Sequence, residues 1–214
     1  MKSFCVIGLG KFGQAVAETL AADGRQVMII DIDSDKVTAI ADTVTNAVIG
    51  DPTNETVLRA AGVADYDCAI VCLNNNINAS ILLTITLKEI GVKKVVARAM
   101  NDGHRKVLEH IGADIIVFPE QDTGEKLGYM LTKNNITDFV DFSGYKIVEL
   151  VVPREWLGKS LMELNLRRHY SVNVIAVCLA DGTVTVSPDP NRPFEEGDKV
   201  SVIGEDKDID KLIS

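Results

Sequence analysis

The sequence predicts an α/β fold, a doubly wound parallel sheet followed by a small α+β domain. Three observations carry this reading. Residues 2–133 repeat six times an apolar run followed by a stretch of helical periodicity. A glycine-rich turn closes the first run, and beyond residue 134 the rhythm changes to shorter segments with hairpin signals. Continuous apolar runs separated by amphipathic helices indicate parallel strands whose two faces are both covered.

The first run, 2–8 (KSFCVIG), ends at Gly8. Residues 11–22 then carry Phe12, Val16 and Leu20 at helical spacing. The alternation continues as strand 26–31 and helix 34–41, then strand 47–49 and helix 54–61, then strand 68–73 and helix 77–90. Strand 94–98 with helix 102–111 and strand 115–118 with helix 121–133 complete the first domain, 1–134. Periodicity fails over 135–144, which reads as a linker. The second domain, 145–214, shows a strand at 145–151, a helical stretch at 160–168, and strands at 173–179, 183–187 and 199–203. Asp181-Gly182 is a hairpin signal, 188–193 reads as a loop, and 207–213 as a closing helix.

The charge narrows the partners. With 22 Lys+Arg against 31 Asp+Glu the net charge is −9, and no basic stripe is present. Nucleic acid and anionic lipid surfaces both require clustered Lys and Arg, so neither is expected. The longest apolar stretches, 69–73 and 81–87, fall far short of the ~18–20 residues that span a bilayer. Met1 runs directly into the first strand with no signal peptide, so a cytoplasmic location is expected. Cys5, Cys68, Cys72 and Cys178 lie in apolar strand-like runs and read as buried, reduced thiols. Cys68 and Cys72 share a strand face but stand too far apart for a compact metal site.

Gly8-Leu9-Gly10-Lys11-Phe12-Gly13 is G-x-G-x-x-G placed between a strand and a helix, and Asp31 ends the next strand 18 residues after Gly13. Gly8 permits the tight turn and Gly10 lets backbone approach a phosphate. Gly13 lets the helix pack closely, and the helix N-terminus supplies free N–H groups. The Asp31 carboxylate suits ribose hydroxyls and repels a 2′-phosphate, which points to an adenine nucleotide other than NADP. Two further stretches follow strands at the same edge. Gly50-Asp51-Pro52-Thr53 offers Asp51 to an adenine amino group, and Leu73-Asn74-Asn75-Asn76 lies beside the point where strand order reverses. A helix N-cap at Thr53 or Asn54 and a polar asparagine turn account for the same residues without a ligand.

A dinucleotide fingerprint also fits an NAD-dependent oxidoreductase, which needs a proton-transfer residue as well. His104 and His110 stand six apart on one helix and His169 lies in the small domain; all three read as surface residues. Tyr129 and Lys133 form Y-x-x-x-K after the sixth strand, where a short-chain dehydrogenase has it after the fourth, and the glycine turn lacks that family's form. A non-catalytic nucleotide sensor is the favoured reading.

GLGKFG, the D-I-D of Asp31, Ile32 and Asp33, GDPT at 50–53, and VLEHIGADIIVFP at 107–119 followed by Glu120 together resemble the RCK domain. This is the regulator-of-potassium-conductance fold of gating subunits in bacterial Trk and Ktr potassium transporters, and the Ktr type is the nearer. The resemblance spans nearly the whole chain. It implies ATP or ADP, with NADH as the alternative, held by Gly8, Gly10, Lys11, Phe12 and Gly13. Asp31, Ile32 and Asp33 would serve the ribose, and Asp51 and Thr53 the adenine side. Lys11 stands where the family usually has arginine, which keeps the charge but loses the planar fork. Arg98 stands where the family often has lysine. Glu120 matches an acidic residue linked to nucleotide-dependent dimer shape and, in some members, to a divalent cation.

The second domain is similar to the cyclic di-AMP motif of Ktr-type C-terminal domains. Leu161 and Met162, then Leu166 and Arg167, then Asn173, Val174 and Ile175 match it, while Asn165 replaces an aspartate. Aliphatic side chains can flank adenine faces and an arginine can meet a phosphate. Asn165 keeps an acceptor but lacks the charge that would orient Arg167. The resemblance further implies dimers assembled into an octameric ring beneath a potassium-translocating membrane subunit, peripheral to the inner face of the membrane.

Overall fold

The computed structural model of the chain describes residues 2–73, 76–133 and 135–213. It divides into two compact units, Met1–Glu120 and Gln121–Ser214. In the first, strands β1 (Ser3–Ile7), β2 (Gln26–Asp31), β3 (Asn46–Ile49), β4 (Cys68–Val71), β5 (Val95–Arg98) and β6 (Ile115–Val117) alternate with helices. These are α1 (Lys11–Ala22), α2 (Ser34–Ile40), α3 (Glu55–Ala60), α4 (Ile77–Glu89) and α5 (Asp102–His110). The sheet is parallel in the order β3-β2-β1-β4-β5-β6, the Rossmann-like doubly wound arrangement expected. Strand order reverses between β1 and β4, so the loops after these strands share one edge.

Both faces of this sheet are filled. Cys5, Ile7, Met28, Ile30, Ala69 and Val71 belong to one apolar cluster, and Val6, Val27, Ile29, Cys68, Ile70 and Cys72 to the other. Successive strand residues alternate between the clusters, which is why each strand reads as an unbroken apolar run. Cys5, Cys68 and Cys72 are buried, Cys178 is half-buried, and none is disulfide-bonded. Burial pushes the Cys72 thiol up to about 12 and the Cys5 thiol also upward, so both are inert.

α1 lies hard against the sheet because position 13 has no side chain. A Cβ there would come within 2.0 Å of the Gly8 carbonyl oxygen and 3.0 Å of Cys72 Cβ. Gly8 itself adopts φ +96°, a left-handed conformation that favours glycine.

α6 (Pro119–Thr132) begins in the first unit and continues into the second. The second unit contains β7 (Ile136–Phe142), β8 (Tyr145–Val151), α7 (Leu161–Leu164), α8 (Leu166–Tyr170), β9 (Asn173–Cys178), β10 (Val184–Thr185), β11 (Lys199–Glu205) and α9 (Asp206–Ile213). Its sheet is antiparallel, in the order β10-β9-β11-β8-β7. Val148, Leu150, Trp156, Val177, Val200, Val202 and Ile209 form its core.

Besides Cys178, expected buried but half-buried near the end of β9, the structure departs from the sequence reading in four places. Residues 135–144, expected as a linker, hold strand β7 and a tight turn in which Ser143 and Gly144 both have positive φ. β7 is an edge strand with a bulge between Ile136 and Asp138, and the extra residue erases the period-2 pattern. The helical stretch at 160–168 is two short helices, broken at Asn165, which sits at φ 43°, ψ 49°. The strand expected at 183–187 is reduced to the two residues of β10. His104, expected at the surface, is 2% exposed on α5, where its Nδ1 accepts the Met100 N–H at 3.3 Å.

Gly13→Ala is expected to destabilise the first unit by about 1–3 kcal/mol, because the methyl group meets backbone that must move; a chemical denaturation midpoint equal to wild type would refute this. Burial lowers the His104 pKa. The unfolded chain therefore takes up a proton near its ordinary value of about 6.5 while the folded chain resists. Stability is expected to fall as pH drops from about 7 toward 5.5, and His104→Gln should flatten that slope in denaturation series across this range.

Candidate functional site

Two separate places gather the expected site residues. In the first unit a cavity of about 170 Å³ lies at the edge where strand order reverses. Gly8, Asp31, Ile32, Asp51, Thr53, Leu73 and Asn76 line it, together with Pro52 and Ala79. Asn74 lies outside the described residues.

Asp31 ends β2, which hydrogen-bonds β1 on one side and β3 on the other. It is only 8% exposed. Its Oδ2 accepts the Leu9 N–H at 2.5 Å and its Oδ1 accepts the Asp33 N–H at 2.9 Å. The carboxylate thus ties the glycine turn to the end of β2 while facing the cavity. Each oxygen uses one lone-pair site in these bonds, which leaves capacity for hydroxyl donors. Ile32 beside it is 67% exposed, an apolar surface at the cavity wall.

Asp33 has a different local task. It caps α2, accepting from Asp35 N–H and Lys36 N–H, and pairs with Lys36 Nζ at 3.1 Å. These bonds hold its carboxyl below the ordinary aspartate value. Asp33 therefore does not line the cavity, and its ribose role is not supported by position. The same test divides GDPT: Asn54 is the cap of α3, accepting from Thr56 N–H, so Asp51 and Thr53 are not needed for capping. Asp51 Oδ1 accepts from Thr53 N–H at 2.9 Å and Thr53 Oγ1 at 2.7 Å, which lowers its pKa and fixes an anionic loop at the rim. Asn76 caps α4 by accepting from Ala79 N–H.

Gly10 precedes α1 without a capping side chain, so the first N–H groups of that helix have no such partner. Lys11 is exposed at its first position. Phe12 is half-buried and packs against the core under α1, a structural contact rather than a cavity wall. Arg98, at the end of β5, has a side chain 12% exposed and ion-pairs with Glu120. Glu120 therefore faces a guanidinium. Among the described residues no group of three or more His, Cys, Asp or Glu side chains is placed to hold a metal ion.

In the second unit, Leu161, Asn165, Leu166, Arg167, Asn173 and Val174 line one cleft of about 160 Å³, joined by Val172. A left-handed residue stands at each end of α8, Asn165 where it leaves α7 and Ser171 where it leads into β9, and these two turns bring the three segments together. Met162 and Ile175 are exposed and do not line the cleft. Among the described residues Arg167 has no carboxylate partner within salt-bridge distance.

Pro52, Ala79 and Val172 were not singled out from sequence. Pro52 falls inside a quoted motif, whereas Ala79 and Val172 carry no chemical signal. The Y-x-x-x-K residues have structural partners: Tyr129 packs on Phe139 with ring centroids 4.5 Å apart, and Lys133 pairs with Asp210 at 3.1 Å. Among the described residues no helix is long and apolar enough to cross a membrane.

Comparison with known proteins identifies the family. The TrkA-N domain model matches residues 4–119 and the TrkA-C domain model residues 147–214. The Ktr system potassium uptake protein C of Bacillus subtilis is 40% identical over 212 residues, covering 99% of this chain and 96% of that protein. The Ktr system potassium uptake protein A of Vibrio alginolyticus is 35% identical over 215 residues, covering 100% of this chain and 97% of that protein. Among solved structures, the GsuK channel bound to NAD aligns with a TM-score of 0.54 at 23% identity, over 100% of this chain and 38% of that one, a likeness of fold. With both domain models matched in order and full-length identity to Ktr proteins, the chain belongs to the RCK-domain family of Ktr and Trk potassium-uptake regulatory proteins.

Proposed function

We propose that the chain is a non-catalytic, nucleotide-sensing regulatory subunit that gates a potassium-translocating membrane subunit. The observation that carries this is the single cavity that joins Gly8 of the glycine turn, the buried Asp31 carboxylate and the Asp51–Thr53 rim. A nucleotide would place its phosphates toward the uncapped start of α1 and Lys11, and its ribose at Asp31. The exposed Ile32 and the Asp51 rim suit the adenine. Arg98, its charge shared with Glu120, stands at the same sheet edge. ATP and ADP differ only at the phosphate end, so a switch must come from different affinities for two assembly shapes. NADH is the competing occupant. Dimers arranged as an octameric ring, docked on the membrane subunit from the cytoplasmic side, would convert that difference into mechanical work on the channel.

Cyclic di-AMP is the proposed second ligand, closing the channel from the cleft at Asn165 and Arg167. Aliphatic Leu161, Leu166 and Val174 would flank the bases, and Arg167, without a carboxylate partner among the described residues, would meet a phosphate. An asparagine at 165 suits this site conformationally, since the left-handed region is most accessible to glycine, asparagine and aspartate.

Calorimetric titration of the chain with ATP, ADP, NADH, NADPH and cyclic di-AMP tests the reading. ATP and ADP are expected to bind and NADPH to fail. NADPH binding without ATP binding would favour an oxidoreductase. Asp31→Asn is expected to weaken ATP about ten- to hundredfold, the loss of a charged hydrogen bond worth about 1.5–3 kcal/mol; unchanged affinity would overturn the site. Arg167→Ala is expected to weaken cyclic di-AMP while leaving ATP affinity as in wild type, and parallel loss of both would contradict two separate sites.

A further inference from the structure

The second unit holds another cavity, of about 330 Å³, beneath the segment 188–194. That segment is fastened over it by backbone bonds: Met162 N–H donates to the Pro190 carbonyl at 2.9 Å, and Phe194 N–H to the Lys159 carbonyl at 3.0 Å. Leu161, Leu179 and Phe194 give it apolar walls. Apolar walls with a few convergent polar groups are the usual makeup of a small-molecule site.

The polar groups at this cavity are Ser187, Asp189 and Arg192 among others. The Arg192 guanidinium grips the fully buried Asp198, at 2.6 and 3.4 Å to its two carboxylate oxygens. Its charge is therefore offset, and an anion entering here would also meet the carboxylate of Asp189. A cation would meet the Asp189 carboxylate together with the Arg192 guanidinium, a wall of mixed charge, and would give up its hydration to enter. An uncharged group loses nothing to either and can bond to Ser187 or to the outer N–H groups of Arg192.

We propose that this cavity binds a compact uncharged ligand with a ring-sized apolar body and one hydroxyl or amide end. Leu161 lines this cavity and also the cleft at Asn165 and Arg167, so the occupant would sit beside the second candidate site. The test uses Trp156, the sole tryptophan of the chain, which is 5% exposed with its ring centroid 6.2 Å from that of Phe194. Benzyl alcohol titrated into the full chain is expected to produce a saturable change in tryptophan emission. Benzoate and benzylammonium are expected to bind at least about tenfold more weakly, the penalty for bringing a charge to this site. Ser187→Phe, at an exposed position, should abolish the benzyl alcohol response with an unchanged melting temperature. No saturable change in wild type, an equal response in the variant, or a charged probe binding as tightly as the alcohol would each overturn the proposal.

Discussion

The first unit depends on one constraint, the close approach of α1 to the strands beneath it. A side chain at position 13 would collide with the Gly8 carbonyl and with Cys72, and one at position 8 would press on the Cys72 backbone at 3.0 Å. With both positions bare, the turn from β1 into α1 passes directly over the end of β4. The Asp31 carboxylate, bonded to Leu9 N–H, fastens that turn to β2. The same few contacts that seat the helix therefore also shape the cavity, so packing and the form of that cavity cannot be varied independently here. The α1 N-terminus carries no side-chain cap, and in the proposed function this is the place left for a phosphate, since a capping side chain would occupy the space.

The second unit is organised around a different solution. Asp198 is fully buried, yet it accepts from Arg192, from Glu195 N–H at 3.0 Å and from Ala180 N–H at 3.2 Å. Only the aspartate of this pair is fully buried, so loss of Arg192 would strand its charge on the two backbone donors alone. Desolvation works against the charged aspartate, but the Arg192 bond and the backbone donors outweigh it and its pKa is lowered. The anchor holds the segment before β11 in place while leaving the space beneath 188–194 open.

Legibility in the sequence followed burial. Six parallel strands covered on both faces could be read as apolar runs, and the G-x-G-x-x-G turn with Asp31 marked the site because those residue types have few other uses in that context. Edge strand β7 was not legible, since exposure and a bulge removed its alternation. His104 was misplaced because a single histidine on a helix announces neither burial nor its bond to Met100 N–H. Asp33 and Asp51 looked alike in sequence, each an aspartate just beyond a strand. Only the helix start separated them: α2 begins directly after Asp33 and claims its carboxylate, whereas α3 begins after Asn54 and leaves Asp51 at the rim.

The sequence by itself determined the doubly wound sheet, the nucleotide fingerprint and the membership of its family, since each rests on local pattern and on glycines required by backbone geometry. Only the tertiary structure decided which carboxylates face the cavity, that Arg98 meets Glu120, and that left-handed residues at 165 and 171 gather one cleft while a second opens beneath 188–194. The physical reason is that a cavity is bounded by side chains from segments distant in sequence, whose meeting depends on how those segments pack.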